Sequence, residues 1–267
     1  MWLRSAEAAL SGSSLKIRHG GITESDGRLR AALLRRERSA GGANRSRVSL
    51  SGLAFQDIEG RIFWGWPDAS GRIRMRPGDE RPEVSCLLPA ALSLALALRR
   101  SDCDLGAQAL VLGDGFAARM AGAVAAAVGC RVLAAGTIQG DGRGPAPRPA
   151  IVVETSGEPQ RLAEAVERCR DWGLVLSLGD ALGQAPFDYY AHVHRRALTL
   201  VQVPDCPVPT GEEEDLVERV PGLLAAALGG LRPAPEEVLE AEVLPEGAVG
   251  RAEFERSGWG LLLVEDR

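Results

Sequence analysis

The chain is 267 residues and 28.3 kDa, 45% hydrophobic and 25% charged with mean hydropathy near zero, which excludes disordered and collagen-like polymers and indicates one large folded domain or two modest ones. Its formal charge of −5 is uneven: residues 1–50 carry ten Lys/Arg against four Asp/Glu, a balance of +6 that leaves −11 for the rest, yet the basic run Arg28–Arg38 has none of the aromatic platforms of a nucleic-acid face. Apolar stretches such as Ala90–Leu98 and Gly222–Leu228 fall short of the ~20 residues of a bilayer span, and the opening MWLRSAEAAL is not a secretory leader, so the expectation is a cytoplasmic protein with no membrane partner.

Residues 1–88 mix Gly and Ser loops with short strand-like runs, Leu15–Arg18, Arg47–Leu50, Arg61–Trp66 and Arg72–Met75, the texture of a small β-rich unit. Inside it, Leu29, Ala32 and Leu33 fall at helical spacing, which predicts an amphipathic helix over Arg28–Arg38 with a solvated arginine face. Alternation sends Phe63 to one side of its strand and Trp64 and Trp66 to the other; they read as packing of the β unit, or as the wall of a substrate pocket.

From residue 89 the pattern changes. A helix over Ala90–Arg99 is followed by a strand at Ala109–Leu112, a small-residue helix at Ala117–Val128, strands at Arg131–Ala135 and Ala150–Glu154, a helix over Pro159–Arg170, and strands at Leu174–Leu178 and Leu198–Val203. Strands that are apolar throughout and alternate with helices indicate a parallel sheet covered on both faces, hence an α/β fold. Residues 206–267 begin in Pro-rich loop and end in a strand at Leu261–Val264.

Gly113-Asp-Gly115-Phe116-Ala-Ala118 lies between the first of these strands and its helix. In such a G-x-G-x-x-A turn the first Gly makes the bend, the second admits a pyrophosphate to the backbone, and the small third residue lets helix and strand touch; the same turn also serves helix–strand packing alone. Glu154-Thr-Ser156-Gly157 ends a later strand on the edge where ligands of open α/β sheets bind, with a polar turn capped by Ser156 as the plainer reading. Ser177 and Gly179-Asp180 end the next strand. Tyr189, Tyr190, His192 and His194 form a cluster of proton-active side chains, either a proton relay or a surface segment.

Three runs carry a resemblance to a known family: LPAALSLALALRRSDCDLGAQALVLGDGFAARMAGAVAAAVGCRVLAA, IVVETSGEPQRLAEAVERCRDWGLVLSLGD and FDYYAHVHRRALTLVQVP. Together they resemble the nucleotide-binding half of the medium-chain dehydrogenase/reductase family, the group of zinc alcohol dehydrogenases, threonine dehydrogenases and quinone reductases. The resemblance implies a Rossmann-like domain over 89–205, a degenerate GroES-like β domain over 1–88, and a segment 206–267 returning to it. It implies hydride transfer with a nicotinamide cofactor, the turn at Glu154 lying on the nicotinamide side.

The departures matter as much. Zinc-dependent members need a Cys, a Gly-His-Glu and a further Cys or acid, whereas this chain has only His19, His192 and His194, no Gly-His-Glu, and Cys86 alone near a ligand-like position, so no catalytic zinc is expected. Only 136–149, fourteen residues with four glycines and three prolines, separate the second strand from the next, too few for a third strand and its helices. The second strand ends in Ala135, Gly136 and Thr137, with no acid for a ribose hydroxyl, while Arg143 or Arg148 suits a 2′-phosphate, which favours NADP(H) over NAD(H).

The expected cofactor-binding residues are Gly113, Gly115, Phe116, Ala118, Thr137, Arg143, Glu154, Ser156, Gly157 and Gly179, and the expected catalytic residues Tyr190 and His192. The combined reading is a zinc-independent NADP(H)-dependent oxidoreductase acting on a small carbonyl or alcohol in a bacterial biosynthetic pathway. Its alternative is a non-catalytic relative, a scaffold or partner subunit that has lost its cofactor. The uncharged edge strand Leu198–Val203 is expected to pair with its copy in a homodimer, as dimeric members of the family do.

Overall fold

The computed structural model describes residues 2–3, 5–11, 14–20, 28–37, 47–57, 59–66, 73–78, 81–101, 105–133, 148–178, 185–204, 214–231, 238–244, 247–251 and 259–263. The chain opens with strands β1 (Trp2–Leu3), β2 (Ser5–Ser11), β3 (Ser14–Gly20), β4 (Arg28–Glu37), β5 (Arg47–Gln56), β6 (Ile62–Gly65), β7 (Ile73–Arg74) and β8 (Arg76–Pro77), then helices α1 (Pro82–Ser85) and α2 (Leu88–Arg100). Next come β9 (Gln108–Leu112), α3 (Gly115–Ala127), β10 (Arg131–Leu133), β11 (Ile151–Glu154), α4 (Pro159–Arg168), β12 (Leu174–Ser177), a π-helical turn (Tyr190–His194) and β13 (Thr199–Gln202). The C-terminal part holds α5 (Glu214–Leu228), β14 (Val238–Leu244), β15 (Gly247–Arg251) and β16 (Trp259–Leu263).

Two compact units result: Met1–Leu92 with Asp205–Arg267, and Ser93–Pro204, the chain passing from one to the other within α2. The helical stretch Pro82–Arg100 is long and apolar enough to cross a membrane, but 83% of it is buried inside the fold, as in a core helix.

The second unit is α/β and Rossmann-like. Its five strands are all parallel, in the order β10-β9-β11-β12-β13. β11 and β12 are buried along their whole length, with α4 packed on them, which is why their sequences carry no polar alternation. α3 turns Phe116, Ala117, Met120, Ala121, Val124 and Ala125 inward, mostly small side chains that let the helix lie close to β9 and β10. α4 packs Ala165 and Val166 into a cluster with Leu110, Leu112, Val152, Val175, Val193 and Leu198. Its outer face carries Arg161–Glu164 and Arg168–Glu164 pairs, which are partly exposed and contribute little stability.

The first unit is built on a nine-stranded sheet ordered β2-β3-β15-β14-β16-β4-β5-β6-β8, with a separate β1-β7 pair. β14 and β16 pair in parallel and the other ladders are antiparallel. The amphipathic helix expected over Arg28–Arg38 is corrected here: Arg28–Glu37 is strand β4. Ala31, Ala32, Leu33 and Leu34 are four consecutive buried residues, as in a strand covered on both faces. Two irregularities, between Leu29 and Ala31 and between Leu33 and Leu34, shift its register against β5. Ladders to β5 and to the distant β16 override a local helical spacing.

Candidate functional site

Register brings the C-terminal ends of three strands level: Glu154 of β11 lies opposite Leu112 of β9 on one side and Ser177 of β12 on the other. Gly113 and Gly115, just beyond β9, have φ of +129° and +70°, values that strain any residue with a Cβ. Between them Asp114 is extended and makes no side-chain cap to α3. The first-turn N–H groups of α3 thus lie uncapped by Asp114, on the positive end of the helix dipole.

A second turn locks against the first. The backbone N–H and Oγ1 of Thr155 both donate to the Leu112 carbonyl, at 3.0 and 3.2 Å. A Cβ on Gly113 would overlap Thr155 Oγ1, so that glycine is required by close approach as well as by φ.

Glu154 is fully buried. Its Oε1 accepts from the Ser156 N–H at 2.5 Å, the Ser156 hydroxyl at 2.6 Å and the Gly157 N–H at 3.0 Å. Oε2 accepts from the Gly157 N–H at 3.1 Å and the Ser177 hydroxyl at 3.3 Å. A carboxyl group survives burial only when its oxygens are satisfied in this way. Ser156 Oγ in turn accepts from the Glu158 N–H at 3.1 Å, at the start of α4.

Gly113, Gly115, Glu154, Ser156 and Gly157 are thus gathered on one sheet edge, together with Ser177 and with Thr155, which sequence reasoning passed over. The available signal for Thr155 was its place after Glu154, opposite the glycine turn. Phe116 turns its ring into the core, with the Arg119 guanidinium 5.7 Å from the ring centre. Ala118 is half-buried, beside the inward face of α3 rather than on it. Thr137, Arg143 and Gly179 lie outside the described residues.

Tyr190 and His192 are not brought to this edge with the glycine turn. Their π-helical turn leads into the start of β13, where the Leu198 N–H bonds the Val193 carbonyl and the Trp172 N–H, just before β12, bonds the Arg196 carbonyl. In a parallel sheet, strand starts and strand ends lie on opposite edges. Tyr190 is exposed and stacks on His194 with ring centres 5.3 Å apart, and His192 Nδ1 is 3.0 Å from the Asp188 carbonyl oxygen.

In the first unit Cys86 is buried, its thiol donating to the Glu83 carbonyl at 3.4 Å. Burial, aided by Glu83, pushes that thiol well above its ordinary range. Among the described residues no three His, Cys, Asp or Glu side chains gather as a metal site. Trp64 is buried, donates from Nε1 to the Pro77 carbonyl at 2.9 Å and stacks on Trp66.

No protein-family model and no curated protein matches the sequence. Solved structures do match the fold. Acetophenone reductase from Geotrichum candidum, in complex with NAD, is 13% identical, with 89% of each chain covered and a TM-score of 0.53. The YhdH oxidoreductase from Salmonella enterica, in complex with NADP, is 12% identical over 99% of this chain and 100% of that one, with a TM-score of 0.52. An alcohol dehydrogenase from Thermotoga maritima is 11% identical over 85% of this chain and 91% of that one, also at 0.52. At such identities the likeness shows the fold alone, a Rossmann-like parallel sheet together with a mainly antiparallel β unit.

Proposed function

We propose that this chain is an NADP(H)-dependent oxidoreductase that moves a hydride between the cofactor and a small carbonyl or alcohol, without zinc. The observation that carries the reading is the turn Gly113–Gly115, with two left-handed glycines and an α3 start that no side chain caps, on the carboxyl edge of a parallel sheet. Such a turn fits a pyrophosphate, whose charge the N–H groups and helix dipole favour. When bound, the dinucleotide supplies or accepts the hydride at its nicotinamide ring. This chain's part is to seat the phosphates at Gly113, Gly115 and the Phe116 N–H, and to present the Ser156–Gly157 turn beside them.

Preference for NADP(H) is supported by the lack of an acid in Ala135-Gly136-Thr137 and by Arg143 and Arg148 in the segment that follows. The zinc-free reading is supported by a chain with three histidines and no Gly-His-Glu.

The test is thermal shift with NADPH, NADH and neither. NADPH is expected to raise Tm, NADH less, and Gly115→Asp to abolish the rise, since its side chain meets the phosphates. Equal Tm in all three conditions for the parent would overturn the proposal and leave the non-catalytic reading. A zinc ion retained at one per chain after dialysis against a chelator refutes the zinc-free part.

We further propose a homodimer through β13, the last strand in the order of the described parallel sheet, where Leu200 is 37% exposed. Light scattering is expected to report twice the 28.3 kDa of one chain. A monomer at micromolar concentration refutes it.

A further inference from the structure

Glu154 is fully buried, and its carboxyl group accepts hydrogen bonds from the Ser156–Gly157 turn and from Ser177. An acid spent wholly inside the fold, on the edge that carries the candidate site, needs a reason. Its acceptors hold the Ser156 and Gly157 amides and, through Ser177, tie the turn to the next strand. Thr155, gripped between Glu154 and Ser156, is the residue whose N–H and hydroxyl both fasten onto the Leu112 carbonyl, immediately before Gly113. Its Oγ1 occupies the space a Gly113 side chain would need.

We infer that Glu154 is a positioning residue for the glycine turn: its carboxyl group shapes Glu154–Gly157, and Thr155 transmits that shape to the backbone at Gly113–Gly115. The functional meaning of this inference rests on the nucleotide reading above. The mechanical part does not, because every contact in the chain of transmission lies within the protein.

The roles of the oxygens predict how variants differ. Gln at 154 keeps Oε1 as the acceptor for Ser156 and for the shorter Gly157 contact, gives up the longer contact from the Gly157 N–H to Oε2, and turns its amide toward Ser177, whose hydroxyl rotates to accept. Ala at 154 removes the Glu154 acceptor from two amides, those of Ser156 and Gly157, and from two hydroxyls, those of Ser156 and Ser177, and the turn must rearrange to satisfy them.

The experiment compares the full-length parent with Glu154→Gln, Glu154→Ala and Val166→Ala. Val166 is buried in α4 within the apolar cluster, so its truncation lowers stability while removing none of the hydrogen bonds of either turn. Two quantities are read well below every Tm: the amide resonances of Gly113 and Gly115 in nucleotide-free, ¹⁵N-glycine-labelled protein, and the Kd for NADPH. Glu154→Ala is expected to displace both resonances and weaken NADPH binding about tenfold or more. Glu154→Gln is expected to retain the parent's resonances and to bind within about threefold. Val166→Ala should match the parent in both despite its lower Tm.

Resonances of Gly113 and Gly115 that move no further in Glu154→Ala than in Val166→Ala would overturn the inference. If Glu154→Ala does not fold, Thr155→Ala, which must displace the same two resonances, decides together with Glu154→Gln, which must retain them. A parent that binds neither NADPH nor NADH defeats the proposed function, and the resonances then judge Glu154 by themselves.

Discussion

The two large sheets of this protein are assembled on opposite principles. The parallel sheet takes its five strands from a single stretch of chain, residues 108–202, and all its pairings but β9–β11 join strands consecutive in sequence. The nine-stranded sheet draws β2–β6 and β8 from the N-terminal part and β14–β16 from the last thirty residues, and β16 runs between β14 and β4. Pairing Leu33 with Leu261 closes a loop of more than two hundred residues, an entropic cost recovered only when the rest of the sheet is in place. Local contacts make the first sheet robust to changes in the chain ends, whereas the second depends on them.

The largest expected effect breaks that dependence. Truncation after Leu231 removes β14, β15 and β16 and strips a partner from both β3 and β4. Amide exchange should show β4 and β5 losing protection comparable to global unfolding, on the order of 5 kcal/mol or more, while β9, β11 and β12 keep theirs. Loss of protection in both sheets would show that they fold as one cooperative unit, and the contrast between them would fail.

Core truncations sharpen the comparison next. Trp64→Ala in the antiparallel unit removes a buried indole and the bond to the Pro77 carbonyl, for a loss of about 3–5 kcal/mol, and Leu176→Ala in β12 should cost about 2–5 kcal/mol. Urea unfolding read by exchange in each unit separately should assign each loss to its own sheet.

The glycine turn gives a smaller effect with a distinct signature. Gly113→Ala combines an unfavourable φ of +129° with overlap on Thr155 and should cost about 1–3 kcal/mol. In a Thr155→Ala background the same change should cost less, by about 0.5 kcal/mol or more, since the overlap is relieved. Strict additivity in the measured stabilities would mean that the two turns are not interlocked.

The smallest effect is a pH dependence. Cys169 is buried, its thiol facing the Ala150 and Leu174 carbonyls, and burial pushes its pKa to about 11 against the opposing pull of Arg196 and Arg170. The folded state therefore holds this proton more tightly than the unfolded state, so the associated stability is present below pH 9 and is lost as pH rises through 11. Tm of the parent should fall over that window, and Cys169→Ala should fall less steeply.

How much of this was legible in the sequence follows the same division. The parallel strands announced themselves because burial on both faces leaves uninterrupted apolar runs such as Ile151–Val153, bounded by Gly and Pro. The glycine turn was legible because two left-handed positions in three residues tolerate little but Gly. β2, β14, β15 and helix α5 were not read as elements, and β4 was read as a helix. RLRAALLRRE has no alternation to betray a strand, and its apolar residues happen to fall at helical spacing.

By itself, then, the sequence determined the order of elements from β9 to β13, the edge that carries the candidate site, and the glycines of its turn, all consequences of short-range periodicity and backbone sterics. Only the tertiary structure decided that Arg28–Glu37 is a strand, because its partner β16 lies more than two hundred residues away. The tertiary structure likewise turned the Glu154 carboxyl group inward to hold a turn and separated Tyr190 and His192 from the glycine edge. Burial, register and hydrogen-bond partners are properties of neighbours that the local sequence does not name.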